Sequence, residues 1–262
     1  MRPGGDRLVG LAGLLAARGL SYSVARIGEA RHAFVRVGEG RPRLALVAHY
    51  DRAPGSPGAL DNSCACIQLA DFASRRGAAP PSRVPILVAF TDAEEAPGSG
   101  GPDSQGSFAL ARALAQGARG SSRPAEGMSA LVLDVTGRGG RLVLSRAPAE
   151  LLERHGLERS EAAAGHRALL ELARKAAASA LLEQPLEASL PWSDDLGLTL
   201  GGLPALALSL LPEDQAILLA EGRKPPLWDL LHTEADVPEL AEERAFETIA
   251  AFLDALAREF AG

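Results

Sequence analysis

The feature that most constrains this chain is a set of short apolar runs that end in acidic or imidazole side chains. Arg43–Ala48 reads Arg-Leu-Ala-Leu-Val-Ala and stops at His49-Tyr50-Asp51. Val84–Phe90 stops at Thr91-Asp92-Ala93-Glu94-Glu95, and Ser129–Leu133 stops at Asp134. A fourth run, Leu203–Leu208, carries Pro204 at its start. Apolar runs this short, bounded by polar and turn residues, read as strands buried on both faces. Helical patterns separate them, over Asp61–Arg76, Ser107–Leu114 and Glu161–Leu182. Strands alternating with helices predict an α/β fold with a mostly parallel sheet between two helical layers.

Both ends of the chain add to this plan. Leu8–Arg18 reads as a first helix ended by Gly19. Ser21–Ile27 and His32–Val37, separated by Gly28-Glu29-Ala30, read as a hairpin, so the sheet is expected to be mixed. Gly137–Gly140 reads as a second hairpin turn that returns Arg141–Leu144 beside Ser129–Leu133. A last helix is expected over Val237–Phe260, with Phe246, Ile249, Leu253, Leu256 and Phe260 on one face. Asp236 and Glu239 have the offset of a capping pair at its start. No repeat or linker divides the 262 residues, so residues 1–262 are read as one three-layer α/β/α domain, with the first helix and hairpin (about 1–40) included.

Composition narrows the function classes. A net charge of −6 argues against binding nucleic acid through its phosphates. No run of 18 or more apolar residues is present, so no membrane span is expected. Leu8–Leu15 is short and broken by Gly10 and Gly13, which favours a helix over a leader, and a cytoplasmic location is expected. Two cysteines cannot build a disulfide framework. Cys64 and Cys66 fall on different helix faces and read as buried structural residues. His32, His155 and His166 lie in no motif and read as surface or structural.

In an open α/β sheet, ligands bind beyond the carboxyl ends of the strands. That rule gathers His49, Asp51, Glu94, Glu95 and Asp134 at one crevice. Asp61, at the start of a helix, joins the same rim, and His232 lies in the loop before the last helix. Oxygen and imidazole ligands without thiolate suit catalytic zinc, with manganese or cobalt as alternatives. One shared carboxylate with two further ligands per ion would hold two metals about 3.5–4 Å apart. Of two adjacent glutamates, one then binds metal and the other serves as general base. Asp51, two residues past His49, is placed to hold its imidazole.

These residues resemble the M28 family of zinc metallopeptidases, which includes aminopeptidases and a divergent glutaminyl cyclase branch. The matching pieces stand in the family's order: Ala48-His49-Tyr50-Asp51, Gly58-Ala59-Leu60-Asp61-Asn62, Thr91-Asp92-Ala93-Glu94-Glu95, Leu133-Asp134, Ser193-Asp194, Gly202-Leu203-Pro204, and His232-Thr233 with Asp236. The resemblance implies that Asp61 bridges two metals, that His49 and Asp134 complete one site, and that Glu95 and His232 complete the other. It implies Glu94 as the base that activates water, Asp51 as the residue orienting His49, and Asp194 near the substrate end. It implies a zinc-exopeptidase-like fold, two zinc ions or one, and a peptide or small aminoacyl substrate. It says nothing of the oligomeric state.

Three functions compete: a di-zinc aminopeptidase, a single-zinc glutaminyl-peptide cyclotransferase, and a non-catalytic relative. Asp195 stands where the family has His, and Gly197-Leu198 replaces Pro-Phe. Asp194-Asp195 and Pro102-Asp103-Ser104 lean towards the cyclase branch, whereas Leu231 stands where that branch has Trp. Trp192 and Trp228 flank the site segments and read as pocket walls or as core. The long connection Pro212–Leu231, with Ile217, Leu218, Leu219 and Trp228, is expected to shape the substrate pocket.

Overall fold

The computed structural model describes residues 6–78, 85–95, 100–117, 127–190 and 192–261. Among the described residues eight strands form one sheet: β1 (Ser23–Ile27), β2 (Ala30–Val37), β3 (Leu44–His49), β4 (Ile86–Thr91), β5 (Ser129–Leu133), β6 (Arg141–Ser145), β7 (Leu186–Ala188) and β8 (Ala205–Leu211). Their order is β1-β2-β4-β3-β5-β8-β6-β7. The central strands β4, β3, β5 and β8 run parallel, and β1 and β2 form the expected antiparallel hairpin. Val84, the expected start of β4, lies outside the described residues.

The parallel strands are apolar because helices cover both faces. α1 (Arg7–Ala17), α2 (Cys64–Ala78), α5 (Glu161–Ser179) and α8 (Glu243–Glu259) pack on one face, through Leu11, Phe72, Leu169 and Phe252. α3 (Gly106–Gly117), α6 (Asp194–Leu200) and α7 (Glu213–Ala220) pack on the other, through Ala111, Leu198 and Leu219. α4 (Ala147–Arg154) packs beside α6 through Leu151 and Leu196. Side chains alternate between the faces along each strand. In β3, Leu44, Leu46 and Ala48 join the first layer, and Ala45 and Val47 the second. In β5 and β8 the second face receives Ala130, Val132, Ala205 and Ala207, smaller residues than the leucines opposite. α6 lies on that second side, close to α3, where a Cβ at Gly197 would sit 2.7 Å from Gln105 Oε1. Cys64 and Cys66 are free, buried and divided between the two layers, and burial pushes both thiols up to about 12.

Two local expectations give way to tertiary pairing. Gly137–Gly140 does not close a hairpin: β6 pairs antiparallel with β8 and parallel with β7, and β8 stands between β5 and β6. The glycines serve that crossing, since Gly139 has φ +89° and a Cβ there would overlap the Leu211 backbone. Asp236 and Glu239 do not cap the last helix. α8 starts at Glu243 after a separate turn at Pro238–Leu240, and the Asp236 carboxylate is engaged elsewhere. The helices α4 and α6 and the strand β7 are too short for a periodic pattern to announce.

Candidate metal centre

The carboxyl ends of β3, β4 and β5 bring the acidic and imidazole residues to one crevice. His49 is the last residue of β3 and is 1% exposed. Its Nε2 lies 3.1 Å from Asp61 Oδ1 and 3.5 Å from Asp134 Oδ1, and its Nδ1 lies 3.5 Å from Asp51 Oδ1. His232 Nε2 lies 3.0 Å from Asp61 Oδ2 and 3.0 Å from Glu95 Oε1. Asp61 therefore stands between two ligand sets, one carboxylate oxygen turned to each. Ligand atoms of His49, Asp61 and Glu95 all lie within 4.8 Å of one another.

Each side chain is held by its own segment. Asp61 sits in an irregular turn, Ala59–Ser63, ahead of α2. The Leu60 and Asp61 N–H groups donate to Asp236 at 2.7 and 3.2 Å, and Asn62 Nδ2 donates to the Leu133 carbonyl at 2.8 Å. Arg7, in register with Leu11 and Leu15 on the buried face of α1, donates to the Tyr50 and Pro57 carbonyls and to Ser63 Oγ. Asp51 Oδ2 accepts the Glu95 N–H at 2.9 Å, so Asp51 joins the β3 and β4 ends. Ala93, Val135 and His232 have φ of +62°, +52° and +61°, beside Glu94, beside Asp134 and at the second imidazole itself. Backbone in this region is costly for side chains other than glycine and gathers at functional sites.

The electrostatics call for positive charge. Hydrogen bonding to Asp61 and Glu95 raises the His232 pKa to about 10. Burial opposes the charged His49, but Glu94, Asp134, Asp51 and Asp61 outweigh it and raise its pKa well above the ordinary value. Burial likewise opposes the Asp61 charge, yet the two imidazoles hold its pKa well down. Burial raises Glu94 strongly and Glu95 less so. Apart from these imidazole–carboxylate contacts, His49 Nε2, Glu95 Oε1 and Asp134 Oδ1 are buried without a hydrogen-bond partner among the described residues. Buried polar atoms normally find partners, so these converging lone pairs fit bound divalent cations. A set of imidazole and carboxylate donors without thiolate fits zinc.

Beside this cluster lies a pocket of about 280 Å³, with Asp61, Glu94, Glu95, Asp134 and His232 in its wall. Trp192 and Trp228 line it too, with Leu190, Leu231 and Val135. Of the Pro212–Leu231 connection, Trp228, Lys224 and Leu231 reach this pocket; Ile217, Leu218 and Leu219 do not. Asp194 also stays out of it. Asp194 is fully buried, accepts from Thr91 Oγ1 at 2.5 Å, and is pushed up to about 6 by burial. Asp195, where the family has His, faces the sheet and accepts the Ala207 N–H at 3.0 Å.

Several residues of the site carried no role in the sequence reading. Arg7 braces the loops, and its place in the Leu11–Leu15 register was the available signal. Gln105 Nε2 donates to Glu94 Oε1 at 3.3 Å, while its Oε1 accepts the Gly197 N–H at 3.1 Å. Nothing in the local sequence marks that residue.

The model of peptidase family M28 matches residues 34–257. No curated protein matches. Among solved structures, the fold is similar to the glutaminyl cyclase of Porphyromonas gingivalis, at 18% identity and a TM-score of 0.69, covering 99% of this chain and 92% of that one. It is similar to a Zn-dependent exopeptidase from Parabacteroides distasonis, at 18% identity and a TM-score of 0.65, covering 96% and 90%. It is also similar to BSAP, a zinc aminopeptidase from Bacillus subtilis, at 18% identity and a TM-score of 0.64. That match covers 88% of this chain and 50% of BSAP.

Proposed function

The chain belongs to peptidase family M28, and on that premise we propose that it is a di-zinc aminopeptidase that removes the N-terminal residue from peptides or small aminoacyl substrates. The observation that carries this reading is the place of Asp61. Its Oδ1 faces His49, close to Asp134, and its Oδ2 faces His232, close to Glu95. Asp61, His49 and Asp134 would hold one ion; Asp61, Glu95 and His232 would hold the other. When bound, zinc supplies Lewis acidity that polarises a peptide carbonyl and acidifies water. Asp51 orients the His49 ring through Nδ1. Glu94 has no place among the ligands. It lines the pocket, and burial raises its pKa above the ordinary carboxylate value, which makes it the stronger base of the two glutamates. It takes a proton from the attacking water and returns it to the leaving amine nitrogen, so the step balances without another proton donor. The apolar walls, Trp192, Trp228, Leu190 and Leu231, suit an uncharged first side chain. The test is metal analysis together with hydrolysis of aminoacyl reporters. Two zinc ions per chain and release of an uncharged first residue support the reading; one ion and no release count against it.

A second reading is a single-zinc glutaminyl-peptide cyclotransferase. What supports it is the near end-to-end match with the Porphyromonas gingivalis glutaminyl cyclase, a length of match that the Parabacteroides distasonis exopeptidase shares. Ammonia release from peptides with N-terminal Gln, without peptide-bond cleavage, would favour it over the aminopeptidase.

A further inference from the structure

Beside the acidic pocket, and sharing Lys224 and Trp228 with it, runs a second groove of about 460 Å³. Its charge is the opposite. Arg146, Arg223 and Lys224 line it with Ser189, Leu219 and Trp228, and its described lining holds no carboxylate. The cations come from separate parts of the chain. Arg146 stands between β6 and α4, and Arg223 and Lys224 follow α7. Such a concentration runs against a chain of net charge −6. Nearby acids leave it available. Lys224 pairs with Asp229 and Arg223 with Glu221, but both are exposed pairs, which contribute little and exchange readily. Glu150 accepts from Ser189 Oγ at 2.7 Å, and the Arg146 side chain has no ion pair or hydrogen bond among the described residues.

A ligand lying across both pockets meets carboxylates and metal ligands at one end and guanidinium and ammonium groups at the other. The acidic pocket is the more enclosed of the two, and the groove is the more open. An aminopeptidase encloses the first residue and lets the rest of the peptide pass towards solvent, which puts the groove on the leaving side. Guanidinium forks recognise carboxylates, and Trp228, which lines both pockets, joins the two ends. We infer that this groove is a subsite for a carboxylate on the leaving side of the scissile bond. The inference rests on the aminopeptidase reading. It assigns as preferred substrates peptides whose free C-terminal carboxylate, or an acidic side chain, closely follows the cleaved bond.

The test uses zinc-loaded full-length protein and matched peptides: Leu-Ala against Leu-Ala-amide, and Leu-Asp-amide against Leu-Asn-amide. The first pair reads a terminal carboxylate and the second a side-chain carboxylate. In at least one pair, kcat/KM for the member that carries the carboxylate should exceed that of its amide partner by about tenfold, the size of one charge-assisted contact. The double substitution Arg146→Gln, Arg223→Gln should bring that ratio towards one. Binding of the same pairs to zinc-loaded Glu94→Gln, measured by calorimetry, reads the groove without turnover. Equal affinity within both pairs, or a preference that survives the double substitution, overturns the inference. A neutral Leu reporter separates the two readings. Its hydrolysis without charge preference removes the subsite alone, and no hydrolysis of any peptide removes the aminopeptidase reading, leaving the binding pairs to decide the groove.

Discussion

Asp236 holds Asp61 in place: its carboxylate accepts the Asp61 N–H at 3.2 Å and the neighbouring Leu60 N–H at 2.7 Å, across 175 and 176 residues of sequence. The loop that carries His232 thereby also sets the turn that presents Asp61 to His232.

Asp236→Ala should leave two buried N–H groups without an acceptor. The expected loss of stability is about 2–6 kcal/mol, from roughly 1–3 kcal/mol for each unsatisfied group. Zinc affinity should fall by at least about tenfold, as it does when the groups orienting a ligand are removed. Urea unfolding and zinc titration check both. Asp236→Asn, which keeps one acceptor oxygen, should fall between. Wild-type midpoint and affinity in the alanine variant would show that the turn holds itself.

Asp61→Asn should abolish binding of both ions, because it weakens the oxygen donors that face both histidines. His232→Ala should abolish only one. Elemental analysis after dialysis reads the two stoichiometries, and equal losses in the two variants would contradict a shared Asp61. Chelation should lower Tm in the wild type, since zinc at 100 times Kd stabilises the folded chain by about 2.7 kcal/mol per site.

Glu94→Gln should retain zinc while kcat falls by about 10²–10⁴-fold, the usual contribution of a general base. A variant that loses zinc, yet turns over normally once zinc is restored, would require the roles of Glu94 and Glu95 to be exchanged.

Gln105→Met removes the amide that donates to Glu94 and accepts from Gly197. The expected effect is a kcat lower by roughly fivefold to tenfold with KM little changed, together with about 1 kcal/mol of lost stability. Steady-state kinetics separates the two constants. Lost stability with unchanged kcat would confine Gln105 to packing α3 against α6.

Asp195→Asn should alter the pH dependence of stability. Burial raises the Asp195 pKa from 3.8 to about 7, against the opposing hydrogen bonds from Ser145 and Ala207. The folded state thus binds this proton more tightly than the unfolded state. Its contribution is fully present below 3.8 and is lost as pH rises through about 7. Asparagine carries no such charge and still offers an oxygen to the Ala207 N–H. Its stability relative to wild type should therefore grow between pH 4 and pH 7, by at most about 1.4 kcal/mol per pH unit. Urea midpoints at pH 5 and pH 8 check it, and a difference independent of pH would contradict the buried acid.

The apolar runs of β3, β4 and β5 announced themselves in the sequence because a strand covered on both faces must be apolar along its whole length. From their polar ends, and from the rule that parallel strands present a common edge, His49, Asp51, Glu94, Glu95 and Asp134 could be gathered before any contact was known. The start of the helix after β3 added Asp61, and family order gave His232 its role. Those signals are local, carried by a few consecutive residues. The rest depended on the tertiary structure. Nothing near Gly137–Gly140 encodes that β8 enters between β5 and β6, because that pairing is made by residues about 70 positions later. Asp236 has the spacing of a helix cap, and only the approach of the Ala59–Ser63 turn gives its carboxylate two stronger claims. Arg7 and Gln105 act on partners 43 and 11 residues away, and the groove of Arg146, Arg223 and Lys224 joins two loops. A hydrophobic pattern specifies which face of an element is buried, but not which polar group it meets there. That is decided when the layers close and each buried donor and charge must find a partner.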